Sequence, residues 1–327
     1  GAWAPADTSL MAKNTRAKST RPAFPDIVRP FQIEGSDVRG RLVRLGPAFD
    51  MVLSQHDYPP PVARLMGETL ALAAVLAATV KYDGVFNLQA KGSGPVDLVV
   101  ADVDSEGGLR GYARYDKTHF DSGEEPEYSI PRLMGTGHLA FTVDQGPDTD
   151  RYQGITPLEG ASLSECAQIY FRTSEQLETA ILLAAELDTG ASAKIDTMHG
   201  RAGALLVQRL PDGPSLARTE EEREEDWRNA VVLMSSLSAA ELLNPDIPSN
   251  GILYRLYHEK GVRVFNSRPI EFRCRCSRDK IAEALASFSP ESLIDMKTDA
   301  GVIVATCEFC HTDYKFDEDQ IEILRDT

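Results

Sequence analysis

Four of the five cysteines in this 327-residue chain fall in its last sixth, as two close pairs. The first is Arg273-Cys274-Arg275-Cys276-Ser277-Arg278; the second, thirty residues on, is Cys307-Glu308-Phe309-Cys310-His311. Two pairs separated by a foldable segment is the spacing of a structural zinc site, each pair supplying two thiolates from one local backbone feature. Cys274, Cys276, Cys307 and Cys310 are the expected ligands of one Zn2+. Four sulfurs close the coordination sphere, so such a metal can neither activate water nor polarise a carbonyl, and hydrolytic metal chemistry is not expected. His311, adjacent to Cys310, is expected in a loop and outside the ligand set; Cys166 is expected to be a small packed hydrophobe.

The same residues suit redox chemistry. If the segment around Phe272 is extended, Cys274 and Cys276 point to one side with Cα atoms about 6.6 Å apart, and both sulfurs can reach one metal. A disulfide instead wants Cβ atoms roughly 3.8 Å apart. The metal-bound and disulfide-bonded forms therefore need different backbones. Arg273, Arg275, Arg278 and Lys280 are expected to offset the net double negative charge of a zinc held by four thiolates. Zinc contributes on the order of 10 kcal/mol to folding of small modules, so loss of the metal is expected to unfold this one.

The elements that must position these cysteines read as α+β: an N-terminal sheet-and-helix core domain, a helical linker and a small C-terminal zinc-binding α+β module. Expected boundaries are 1–23 for a disordered tail, 24–201 for the core, 202–249 for the linker and 250–327 for the zinc module. In the core, Val85 to Gln89, Val96 to Val103 and Leu109 to Tyr115 are strand-like runs between Gly-rich turns, with further strands at His138 to Val143 and Ala180 to Leu187; another apolar strand-like run, Ala204 to Leu210, follows the core. Pro59 to Val80 is an almost wholly apolar helix that must be covered on most sides, and Ser162 with Glu165 predicts a capping box. In the linker, Thr219 with Glu222 predicts another, opening a helix whose Trp227, Val231, Met234 and Leu237 form one apolar stripe. Ser238 and Glu241 start a short helix carrying Leu242 and Leu243 and stopping at Pro245. Helices this short are marginal unless docked on something else.

Composition narrows the function. A net charge of −16 opposes binding to phosphate backbones or an anionic membrane surface, so neither nucleic acid nor membrane is an expected partner. The longest apolar run, Leu70 to Val80, is shorter than a membrane span, and residues 1 to 22 lack a signal-peptide core. An odd cysteine count without such a signal points to a reducing, cytoplasmic setting. Lys91 with Gly92 and Gly94 lacks the order of a phosphate loop and predicts a hairpin turn.

The string Leu253-Tyr254-Arg255-Leu256-Tyr257-His258-Glu259, then Val262-Arg263-Val264-Phe265 and the two cysteine pairs, resembles the redox switch of the heat-shock protein 33 family, the 33 kDa chaperonins. His56-Asp57-Tyr58-Pro59-Pro60, Gly92-Ser93-Gly94-Pro95-Val96 and Tyr152-Gln153-Gly154-Ile155-Thr156-Pro157-Leu158-Glu159-Gly160 extend the resemblance, in order, from Pro25 onward. It implies a non-enzymatic, ATP-independent holdase that is inactive while reduced and zinc-bound. It further implies that oxidation links Cys274 to Cys276 and Cys307 to Cys310, ejects zinc and unfolds module and linker. The activated form would dimerise and hold unfolding client proteins, with Trp227, Val231, Met234, Leu237, Leu242 and Leu243 as candidate client-binding surface. Two other readings stand beside it: a zinc-ribbon interaction module with purely structural cysteines, and a disulfide oxidoreductase using Cys307 and Cys310, which would need a strand-to-helix setting.

Overall fold

Two six-stranded sheets enclose one apolar helix. The structure is a computed structural model that describes residues 24–121, 128–146, 152–188, 198–211, 218–317 and 320; the expected tail, 1–23, lies outside them. In chain order the strands are β1 (Ile27–Ile33), β2 (Val38–Leu45), β3 (Val85–Gly92), β4 (Val96–Asp104), β5 (Gly108–Tyr115), β6 (Gly137–Asp144), β7 (Tyr152–Pro157), β8 (Thr179–Leu187) and β9 (Gly200–Arg209). The short β10 (Val262–Val264), β11 (Arg268–Pro269) and β12 (Glu271–Phe272) follow, then the hairpin β13 (Ile303–Thr306) and β14 (Asp313–Phe316). The first sheet runs β10-β1-β2-β9-β8, with β11 also on β1; the second runs β12-β5-β4-β3-β6-β7. All pairings are antiparallel except β12 with β5.

Helices α1 (Pro47–Leu53) and α2 (Pro60–Ala77) lead from the first sheet to the second. α2 packs on β2, β8 and β9 on one side and on β3, β4 and β5 on the other. This is why its sequence is apolar all round: Leu65, Met66, Leu70, Leu72, Val75 and Leu76 are all buried in one cluster with both sheets. It is long and apolar enough to cross a membrane by composition, but here it is the middle layer of the core. Gly67 lets it close on its neighbours, since a Cβ there would lie 2.7 Å from the Phe49 ring and 2.9 Å from Ala185. The short α3 (Lys117–Phe120) and α4 (Ile130–Leu133) flank the second sheet in sequence, and α5 (Leu163–Tyr170) continues as one π turn to Glu175. The capping box expected at Ser162 is only half formed: its hydroxyl accepts from the Glu165 amide, but the Glu165 carboxylate takes the Ala161 amide rather than that of Ser162.

The outer face of the first sheet is covered by the linker. α6 (Glu220–Ser235) and α7 (Ala239–Leu242) both carry complete capping boxes, and α8 (Ser249–Tyr257) follows. Met234, Leu237, Leu242 and Leu243 are buried against Phe31, Ile33, Val38, Leu42, Leu205 and Val207, with Trp227 and Val231 partly buried beside them. Each fully buried side chain of this kind stabilises the docking by about 1.5–3 kcal/mol. Gly40, opposite Phe31 in the ladder, has no Cβ because one would sit 2.0 Å from the Phe31 ring; the ring lies across it and stacks on Tyr257 at 5.6 Å.

One polar group crosses this apolar layer. Arg44 of β2, 1% exposed, donates to the carbonyls of Leu242 (2.8 and 2.9 Å), Asn244 (2.7 Å) and Ile247 (2.7 Å). Among the described residues no carboxylate is paired with it, and burial, then nearby Arg201, lowers its pKa to about 10. Its hydrogen bonds among the described residues to the linker all go to neutral carbonyls, and its flat face lies 4.7 Å over the Phe24 ring.

Two predictions follow from these contacts. Arg44→Met leaves the linker carbonyls without donors and is expected to weaken docking by about 3 kcal/mol. Limited proteolysis should then cut within residues 220–257 well before the sheets. Glu68 on α2 is buried beside the Tyr128 hydroxyl, and burial raises its pKa to about 7 from 4.5. The folded chain thus binds this proton more tightly than the unfolded one, so stability falls as pH rises from about 4.5 to 7. In thermal melts Glu68→Gln should exceed the parent at neutral pH, the difference vanishing near pH 4.

Candidate metal centre

The first cysteine pair leaves the core directly. β12 adds to the edge of the second sheet, and the Arg273 amide continues the ladder with a 2.9 Å bond to the Leu109 carbonyl, placing Cys274 beside β5. The chain then forms α9 (Arg278–Ala286), capped by the Ser277 hydroxyl, and α10 (Pro290–Asp295), before the β13–β14 hairpin. The second pair is in the turn of that hairpin. The Cys307 amide bonds the Thr312 carbonyl at 3.0 Å and the His311 amide bonds the Cys307 carbonyl at 2.8 Å, while His311 takes the left-handed φ of +49° where glycine is commoner. Among the described residues, five buried apolar side chains, Ala282, Leu285, Leu293, Ile303 and Phe316, form the module's own small core, with Ile281, Ala305 and Tyr314 packed against it.

The fold brings all four predicted cysteines together, with every pair of sulfurs within 4.8 Å. Cys274 and Cys307 sulfurs are 3.7 Å apart and those of Cys276 and Cys310 are 3.4 Å apart. Tetrahedral zinc–thiolate bonds of about 2.3 Å imply edges of about 3.8 Å, so the donor set and its spacing fit a four-coordinate metal ion. The His311 ring meets that of His56 edge-on, ring centroids 4.5 Å apart. Cys166 is buried in the main core, its sulfur accepting from the Gly160 amide at 3.4 Å. The Cys307–Cys310 turn lies between two strands, not at a helix start, and lacks the setting the oxidoreductase reading requires.

The thiols of Cys276, Cys307 and Cys310 differ in how readily they ionise. Burial pushes Cys276 up to about 12, although the Tyr314 hydroxyl lies 3.2 Å away, and burial also raises Cys307 despite the Phe309 and Cys310 amides facing it. Burial opposes ionisation of Cys310 too, but the Thr312 hydroxyl at 3.2 Å, the Thr312 amide and the neighbouring thiols outweigh it and bring it to about 7.

The expected cationic surroundings are built differently. Arg273 pairs with Glu106 and Glu271, Arg278 donates to the Lys315 carbonyl, and Lys280 donates to the Arg275 carbonyl. Arg275 lies within electrostatic reach of Cys274, but its guanidinium is bonded to Asp102 at 2.8 Å. Core carboxylates take Arg273 and Arg275, and backbone carbonyls of the module take Arg278 and Lys280.

The guanidinium at the sulfurs comes instead from β5. Arg110 Nη1 lies 3.9 Å from Cys274 Sγ, and the guanidinium sits 3.8 Å over the Phe309 ring. Tyr112, on the same face of β5, meets Phe309 edge-on at 4.9 Å. His56 stacks on Tyr58 at 4.7 Å beneath His311; burial and the His311 ring lower its pKa to about 4, so it is neutral near pH 7. Sequence reasoning did not assign Arg110, Asp102 or Tyr112 to the site. Period-2 alternation puts Arg110, Tyr112 and Arg114 on one face, but nothing local says which of them meets a segment 164 residues later.

An α+β chain with four clustered thiols bonded to its core sheet defines a thiol protein able to hold a metal ion, and comparisons with known proteins narrow the class. The Hsp33 protein family model matches residues 26–317. The 33 kDa chaperonin of Caulobacter vibrioides (strain NA1000 / CB15N) is 42% identical over 295 residues, covering 89% of this chain and 95% of its own. That of Ectopseudomonas mendocina (strain ymp) is 39% identical over 300 residues, covering 91% and 95%. The crystal structure of the 33 kDa chaperonin from Thermotoga maritima shares the fold, with a TM-score of 0.73, 24% identity, and coverage of 92% of this chain and 98% of that one. This chain belongs to the Hsp33 family.

The reduced chain is expected to bind one equivalent of Zn2+, measured by metal analysis with a free-thiol count. Replacing Cys307 by Ser should abolish stoichiometric retention, and stripping the metal with a chelator should remove the far-ultraviolet circular dichroism of the module while leaving the sheets.

Proposed function

We propose that this chain is an ATP-independent holdase chaperone gated by oxidation of Cys274, Cys276, Cys307 and Cys310, which hold one Zn2+ in the reduced form. The observation that carries the reading is the docked stripe: the linker covers the outer face of the first sheet with apolar residues that would otherwise face water. Bound zinc supplies four strong bonds that close a module whose own core is five side chains.

The chain's residues do the rest. In the oxidised form Cys274 pairs with Cys276 and Cys307 with Cys310. Each pair gives up two electrons and two protons to an oxidant such as hydrogen peroxide, which becomes two waters. The close sulfur contacts in the reduced fold run between the pairs, Cys274 to Cys307 and Cys276 to Cys310, so pairing within each motif dismantles the cluster. The module then lacks both cross-link and core.

In this reading the chain works as a core of residues 24–201, a linker of 202–249 and a zinc module of 250–327, with β9 remaining in the sheet and the labile part of the linker following it. Release of the linker exposes Trp227, Val231, Met234, Leu237, Leu242 and Leu243, together with the sheet face they covered, as apolar surface for unfolding clients. The oxidised form dimerises through surface of the same kind. The protein works in the cytoplasm, with neither nucleic acid nor membrane as partner.

The test compares reduced, zinc-loaded protein with peroxide-oxidised protein as suppressors of aggregation of a thermally unfolding client, with zinc release followed in parallel. Suppression is expected to rise at least tenfold on oxidation and to reverse on reduction with zinc. Equal suppression by the two forms would refute gating and leave the cysteines a purely structural role.

A further inference from the structure

We propose that Arg110 is a positioning residue for the thiol centre: from strand β5 of the core it holds Cys274 and the Cys307–Cys310 turn in one arrangement, so the core sheet itself sets how firmly the four sulfurs retain a metal ion. This deepens the proposed function and rests on its assumption that the cysteines hold a metal.

Arg110 is built in rather than merely near. Its Nε and Nη2 both bond one carboxylate oxygen of Asp102, at 2.8 and 2.7 Å. Asp102 is 4% exposed on β4 and is fixed in turn by Asn87 at 2.6 Å and by Arg275 at 2.8 Å. A guanidinium anchored this way loses little further freedom when its remaining edge and face are used.

Those two remaining surfaces go to the two halves of the site. Nη1 donates to Cys274 Sγ at 3.9 Å and fixes where that sulfur sits. The flat face lies on Phe309, one of the two residues between Cys307 and Cys310, and Tyr112 meets that ring edge-on at 4.9 Å. One side chain of the core thus ties the first cysteine pair to the turn that carries the second. Arg273, Arg278 and Lys280 cannot substitute, because each is bonded elsewhere. Outer partners of metal ligands typically change metal affinity by 10- to 100-fold when removed.

The experiment uses the full chain loaded with Co2+, whose thiolate charge-transfer absorption reports on the sulfurs directly. Arg110→Ala is expected to transfer cobalt to a chelator about 10- to 100-fold faster than the parent, with a shifted charge-transfer band. Arg110→Lys keeps a cation for Asp102 but loses the planar stack, and should release faster than the parent by a smaller factor, which keeps the test decisive if the alanine variant folds poorly. Arg114→Ala, on the same face but exposed and paired with Asp97, should behave as the parent. Parental release rates and spectra in both Arg110 variants would overturn the proposal while leaving the metal site intact. A parent chain with no cobalt–thiolate absorption would overturn the metal reading itself, and this proposal with it.

Discussion

The C-terminal module closes around four sulfurs rather than around a hydrophobic core, and this constraint governs how the rest of the chain is arranged. Two short helices and a two-stranded hairpin bury only five apolar side chains of their own. At about 1.5–3 kcal/mol each, these fall far short of a backbone ordering cost of about 1–2 kcal/mol per residue. A lone hairpin is marginal in water. The module therefore borrows order from two sources, the convergence of its thiols and its contact with the core through β12, Arg110, Tyr112 and His56.

The linker is marginal for a different reason. Its buried stripe is well packed, but the polar anchor that crosses the layer is a guanidinium solvated by four hydrogen bonds to carbonyls, with no negative charge to balance it. A buried cation in such a setting loses hydration and recovers no full ion pair. At the far end of the linker the buried Asp226 is paired with both Arg218 and Lys260, which ties α6 to the turn after α8. The docking is thus specific, since the polar groups fit in one register only, without being unusually strong.

Much of this was legible in the sequence. The cysteine spacing, the Thr219 and Ser238 capping boxes and the almost wholly apolar Pro60–Ala77 helix carry their meaning locally, through liganding geometry, orphan amides and periodicity. The Trp227-to-Leu237 stripe told of a docking surface but not of its partner, which required knowing that Phe31, Leu42 and Leu205 share one outer sheet face. β10, β11 and β12 are two or three residues long, below the length at which alternation can be seen, and tertiary pairing alone makes them strands. The same holds for the cations at the thiols. Arg273 and Arg275 flank Cys274 in sequence, yet Asp102 and Asp104 of β4 and Glu106 in the turn after it capture them, and Arg110 from β5 takes the place at the sulfur.

Those three short strands also decide how the thiol centre and the linker communicate. Between the end of α8 and Cys274 the chain is pinned to both sheets: three residue pairs from β10 to β1, two from β11 to β1, and two from β12 to β5. β1 carries Phe31, which stacks on Tyr257 of α8, so the strand that receives β10 and β11 also receives the linker. In the proposed gating, a change at the sulfurs reaches the stripe by loosening these ladders in sequence or by shifting β5 through Arg110 and Asp102. Ladders of two or three pairs are individually weak, and each leans on its neighbour along one short stretch of chain. In the proposed gating, module and linker are coupled through the short ladders on β1 and β5, with the core sheets as the medium.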